Sequence, residues 1–407
     1  MSLGIDMGWV LATHRWWPDK TAAHDSGSRS DLSVGRPAIR VTRDVVPVVG
    51  PTDPGQNDGV ISRVVSRRPV RVVLMSGPGT AGLVAAALWL AAAAPVAAHG
   101  TTGPAPVLPD VLLAWSFDPT IIVPLAVLAI GYRWAVGRID RAHPANRVPR
   151  VRLVCWLLGL GAILLALQSP IEAYDTTLFS VHMVQHILLT LVAAPLLALG
   201  APITLILRVV RPETRRRVVL PILHSWPVRA ITFPVVTWLL FAFAMWGTHF
   251  SPIFERSLEE PTVHQLEHLV YLVAAALFWW PAIGLDPSPW RMREPVRILY
   301  TFLQMPQNSF LGLAIISATA PLYGHYAALG RDWGPSVLDD QQMAGAVMWI
   351  VGDLVFLAAI LGIVLGWMRR EERETKVNDR REDLARGAIR ERETLLAERV
   401  ARERGET

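Results

Sequence analysis

The 407-residue sequence predicts an all-α integral membrane protein: seven transmembrane helices after a signal peptide or an extra N-terminal helix. Three observations carry this reading. Hydrophobic residues make up 52% of the chain and charged residues only 18%, with a mean hydropathy of +0.35, a balance too apolar for a soluble protein of this length. Apolar stretches long enough to cross about 30 Å of hydrocarbon recur along the chain. The arginines gather in short clusters between those stretches, so the formal net charge of +5 reads as a topology signal. It does not form one basic face, and no nucleic-acid partner is expected.

Residues 1–62 are rich in Gly, Pro, Asp, Ser and Arg without a sustained apolar period, as in a disordered segment or an extension from a misassigned start codon. Residues 63–98 carry arginines, then an apolar core over 81–94, then small residues before His99, which is the plan of a secretory signal peptide cleaved after Ala98. An uncleaved helix is the rival reading, and both leave the outer segment 99–114 beyond the membrane. If cleavage leaves His99 first, its amine and imidazole together could chelate Cu(II). The membrane domain covers 115–368, with spans predicted near 118–136, 153–169, 178–207, 230–248, 263–283, 297–320 and 341–367. Alternate connections between these spans hold fourteen arginines against two, Arg256 and Arg331, and the rich set belongs in the cytoplasm. Residues 369–407 form a tail dense in Arg and Glu at helical spacing, expected as a solvated cytoplasmic helix. No internal repeat and no soluble catalytic domain are evident.

That topology gives the histidines a location. His182 and His186 start the third span, His249 follows the fourth, His264 and His268 start the fifth, and His325 precedes the seventh, so six of the eleven histidines fall at the outer face. Residues four apart project from one helix face, one turn apart, so "HMVQH" (182–186) and "HQLEH" (264–268) each offer a pair able to share a metal ion. Either pair alone reads equally well as interfacial histidines. Two pairs at one depth, where polar side chains are costly, point to a site. The single cysteine, Cys155, excludes a disulfide framework and a Cys-rich metal site. Met183 and Met343 are candidate thioether ligands, with Met245 a weaker one, and imidazole combined with thioether suits copper, above all Cu(I). His249 joins the candidate ligands.

Among the acids, Glu267 is placed to orient an imidazole through its second ring nitrogen, or to cap the helix. Asp339, Asp340, Glu255, Glu259 and Glu260 lie on the outer side, where capping and solvation account for most acids. Asp353 sits about three turns into the seventh span, where an intramembrane carboxylate is a functional candidate; Gln304 or Asn308 on the sixth span is its expected partner otherwise. "HQLEH" is not the zincin motif, and no water-activating base is apparent.

Several segments resemble the multi-span CtaG-type (caa3-type) cytochrome c oxidase assembly factors of the bacterial cell membrane. They are "WSFDP" (115–119), "QSPIE" (168–172), "LFSVHMVQHILL" with "APLLALGAP" (178–202), "HFSPIFE" with "VHQLEHLVYL" (249–272), "FWWP" (278–281), "PLYGHYA" (321–327) and "DQQMAGAVMW" (340–349). The resemblance covers residues 111–368. It implies a multi-pass protein of the bacterial plasma membrane needed to make an active haem-copper oxidase, through copper supplied to an oxidase subunit or to a copper chaperone. His182, His186, His264 and His268 match the family's histidine motifs. The expected chemistry is ligand exchange without bond breaking, so the protein is not expected to be an enzyme. The alternatives are a membrane redox protein with haem held by histidines of spans three and five, or a copper transporter.

Overall fold

The computed structural model describes residues 113–405, all helix, turn and loop, and all within one compact unit. The expected signal peptide, start-codon extension and His99 terminus lie outside the described residues. Among the described residues, five segments are long and apolar enough to cross a membrane: Pro119–Ala142, Arg150–Tyr174, Phe179–Val209, Pro261–Ile283 and Val337–Arg404. They correspond to the expected first, second, third, fifth and seventh spans.

Helix α1 (Pro119–Ala142) begins at Asp118, whose carboxylate accepts the Thr120 amide at 2.8 Å, with a proline in the first turn. α2 (Arg150–Gln168) ends at Ser169, and the short α3 (Pro170–Tyr174) follows at once because Ser169 caps it. The next segment is built from α4 (Phe179–Ile187), a π-helical turn (Leu188–Ala193), α5 (Ala194–Leu199) and α6 (Pro202–Val209). The π turn has an identifiable cause. Pro195 has no N–H and its ring crowds the preceding turn, so the ladder widens. The carbonyls there find side chains instead: Thr190 Oγ1 donates to His186 O at 2.6 Å, and Trp279 Nε1 donates to Thr190 O at 2.9 Å.

The expected fourth span appears as α7 (Pro234–His249), only 16 residues. At 1.5 Å per residue that is about 24 Å, short of the hydrocarbon thickness. After α8 (Pro252–Glu259) comes α9 (Pro261–Ile283). The expected sixth span is divided into α10 (Glu294–Phe302) and α11 (Gln304–Ile316), because Pro306 cannot donate to the Phe302 carbonyl and the helix breaks at Leu303. The short α12 (Gly324–Ala328) precedes α13 (Val337–Arg404), which runs without interruption from the apolar segment through the whole charged tail. In the tail Arg386 pairs with Glu382 and Arg399 with Glu403, both at 3.0 Å across one turn.

Packing explains why α13 can sit centrally. A Cβ built on Gly312 would lie 2.8 Å from the Gly345 carbonyl, and one on Gly345 would lie 2.8 Å from the Gly312 carbonyl, so α11 and α13 cross backbone to backbone. Small residues at such crossings replace the hydrophobic drive that lipid cannot supply. On its other side α13 meets α4, where Asp340 accepts the Phe179 amide at 2.7 Å and also takes the Ser180 hydroxyl. That carboxylate therefore caps the helix carrying HMVQH from a point 161 residues away in sequence. The two largest apolar clusters of the bundle lie one around Phe278, Trp279, Tyr300 and Phe356, the other around Phe179, Phe254, Tyr323 and Met348.

Candidate metal centre

Helical spacing sets up each histidine pair and tertiary packing then joins them. On α4 the His182 and His186 rings lie 4.2 Å apart, and on α9 the His264 and His268 rings also lie 4.2 Å apart. The two helices face each other: His182 stacks on His264 at 5.2 Å, and His186 meets His268 edge-on at 5.9 Å. His249, at the end of α7, adds a fifth ring 6.1 Å from His186. All five are buried, His182 completely. Phe254 of α8 closes one side, its ring 5.0 Å from His182 and 5.1 Å from His249.

Buried carboxylates complete the cluster. One group comprises Asp175, His182 and His264, a second His182, His186 and Glu267, and within each the ligand atoms lie within 4.8 Å of one another. Ligands of one ion sit at most about 4 Å apart across it, so closing on a metal takes side-chain shifts on the order of 1 Å. Asp175 lies just beyond the second apolar segment, with Oδ2 3.5 Å from His264 Nε2. Burial, and after it the Glu172 carboxylate, pushes the Asp175 carboxyl well above the usual carboxylate range. A bound cation would reverse that cost.

The hydrogen bonds show which nitrogens are spoken for. His249 Nδ1 donates to the Met245 carbonyl at 2.7 Å, which leaves its buried Nε2 with the lone pair and no hydrogen-bond partner. His268 Nε2 donates to Gln185 Oε1 at 3.1 Å, putting that ring's lone pair on Nδ1; the Gln185 amide is in turn fixed by donating to Ala166 O at 3.0 Å and Glu172 Oε2 at 2.6 Å. Neither ring nitrogen of His186 has a partner, and those of His182 make no hydrogen bond of ordinary geometry. Buried polar atoms left like this are costly in a protein interior, and worse in lipid. The donor set fits a metal ion with imidazole and carboxylate ligands.

The other sequence candidates fall differently. Met183 is 1% exposed and packs beside the histidines, but Met343 is 50% exposed and is not brought to them; α13 instead turns Met348 inward. Glu267 is buried among the rings, facing the Ser257 and Tyr271 hydroxyls. Asp353 accepts Ser309 Oγ at 2.6 Å and Asn308 Nδ2 at 3.4 Å, which ties α13 to α11. His325 Nε2 donates to the Thr176 carbonyl at 2.9 Å while Glu255 accepts the His325 amide, so it braces the loop that carries Asp175. Sequence reasoning missed Asp175, Gln185 and Glu172. The signal for Asp175 was its place seven residues before His182 on a short connection poor in charge, and for Gln185 its place inside HMVQH.

Apolar helices long enough for a bilayer, enclosing a buried knot of imidazoles and carboxylates, define a membrane-type helical bundle with an internal polar site. Residues 130–370 match the family model of the cytochrome c oxidase caa3 assembly factor, and the chain belongs to that family. It is 32% identical over 285 residues to uncharacterized proteins of Mycobacterium bovis and Mycobacterium tuberculosis, covering 68% of this chain, and 31% identical over 277 residues to one of Mycobacterium leprae. The chain spans 43% of the length of the first two relatives. No solved structure matches it.

Proposed function

We propose that the protein supports cytochrome c oxidase assembly by holding copper in the buried histidine cluster and passing it to an oxidase subunit or to a copper chaperone. The observation that carries this reading is the set of buried ring nitrogens on His186 and His249 without hydrogen-bond partners, gathered with the Asp175 and Glu267 carboxylates from four elements: the loop after α3, α4, α7 and α9. Imidazole with carboxylate accommodates Cu(II) and Zn(II) alike, and family membership favours copper. Transfer is ligand exchange: the residues bind the ion, Gln185 and Met245 O hold the imidazoles in the tautomer that binds, and no covalent bond is broken.

Seven crossings of a bacterial cell membrane, with the histidine end outside and the tail in the cytoplasm, accord with this function. The contact of His249 with His186 and the start of α7 beside the arginine-rich turns support a crossing by α7 despite its length. The haem alternative gains little support, because the rings touch one another and the cavity beside them, of about 20 Å³, suits an ion or a water molecule. The test is a strain carrying His182→Ala with His264→Ala in place of the native protein. The expected result is loss of haem-copper oxidase activity that raised external copper partly restores. Undiminished activity would overturn the proposal.

A further inference from the structure

Beneath the histidine cluster lies a cavity of about 20 Å³ whose lining includes Met183, Met245, Met348, His186, His249 and Gln304. Three thioethers meet there, and methionine in such a place usually serves as apolar filler. Here Ile187, Leu191, Phe241 and Phe356 supply apolar wall, but polar groups share the lining with them. His249 Nε2 is buried with no hydrogen-bond partner, and Gln304, 1% exposed, has its Oε1 likewise unpartnered. An all-filler cavity would not collect two such donors.

The depth of these groups follows from helix geometry. Met245 is one turn further into the bundle than His249 on α7, and Met348 lies eight residues beyond Asp340, which caps the first turn of α4. At 1.5 Å per residue that puts Met348 about 12 Å below the start of α4, level with His186 and the turn after it. Asp175, His182 and His264 lie nearer that helix start. The donors therefore change in character along the bundle: carboxylate and imidazole first, with Asp175 and Glu267, then imidazole with thioether.

We propose that this cavity is a second, softer metal site in which Met183, Met245 and Met348 with His249 Nε2 hold Cu(I), distinct from the Asp175, His182 and His264 group. The proposal rests on the metal-handling function above. Thioether sulfur discriminates in favour of a soft monovalent ion, whereas the carboxylate-bearing group prefers a harder divalent one. His186 borders both and is the bridging ligand through which an ion would pass between them. Gln304 contributes a neutral oxygen, so the deeper site carries no formal charge, and a monovalent ion bound there leaves less net charge at that depth than a divalent one.

The test uses the full chain purified in detergent, titrated with Ag(I) as a redox-inert probe for the deeper site and with Zn(II) for the upper one, with X-ray absorption reading the ligand atoms. Wild type is expected to bind Ag(I) with sulfur scatterers and Zn(II) with nitrogen and oxygen only. Met245→Leu with Met348→Leu, a change that conserves volume, should weaken Ag(I) binding at least tenfold, reduce the sulfur signal to that of Met183 and leave Zn(II) binding intact. His182→Ala should do the reverse. Ag(I) bound without sulfur scatterers, or bound equally well by the double methionine variant, would overturn the second site while leaving the first standing. Binding of neither ion by wild type would overturn both.

Discussion

The two ends of the bundle bury polar groups in opposite ways. At the arginine-rich end Asp286 accepts the Ile203 amide at 3.0 Å, the Thr204 amide at 2.7 Å and the Thr204 hydroxyl at 2.6 Å, capping α6 after Ala201, which sits in the left-handed region at φ 51°. Arg297 donates to the Ala282 carbonyl at 2.8 Å and to that of Ile283, and Tyr132 donates to the Gly200 carbonyl at 2.6 Å. Each of these groups serves to close a helix end. At the histidine end, His186 and His249 Nε2 have no partner in the protein. We read the difference as fold at the first end and, under the proposed function, as a place kept for a ligand at the second.

That contrast can be broken by mutation. The largest effect is expected at the histidine end: His182→Ala with His264→Ala should abolish Cu(II) binding at the imidazole and carboxylate group, measured by Cu(II) titration of the purified protein, while the unfolding temperature of the metal-free protein stays the same or rises. A large loss of metal-free stability would show that the rings are structural after all. Next, Gln185→Leu removes the group that fixes the His268 tautomer, and should cost about 10- to 100-fold in copper affinity by competition titration. At the other end, Asp286→Ala should lower stability by about 1–3 kcal/mol through orphaned amides while leaving copper affinity unchanged. A fall in copper affinity there would erase the distinction between the ends. The smallest effect is expected for Met343→Leu, which changes a half-exposed side chain and should alter neither stability nor metal binding.

Much of the histidine end was legible in the sequence. HMVQH and HQLEH declare their geometry by spacing alone, and the arginine bias puts both at one end without any tertiary information. Asp175 and the Glu172–Gln185 pair were not legible, because their roles arise only when the loop after α3 folds against α9 and α3 against α4. Met343 and Met348 illustrate the same limit. Five residues rotate about 140° around a helix, so one faces outward and the other the core, and composition near a helix start does not say which. Asp340 was legible as a cap but not as the cap of α4. The expected seventh span ended at 367, whereas α13 continues to Arg404, because nothing in the tail interrupts helical spacing. The division of the sixth span at Leu303 turns on Pro306, which in an apolar stretch can either bend a helix or end it.

The central claim is that the buried imidazoles hold copper. The most direct measurement is copper K-edge X-ray absorption, with metal analysis, on protein purified from copper-supplemented cells without chelator. The account predicts at least one copper per chain, with imidazole nitrogen scattering that falls in the His182→Ala, His264→Ala protein. Copper well below one per chain in the wild type, or an unchanged spectrum in the variant, would contradict it.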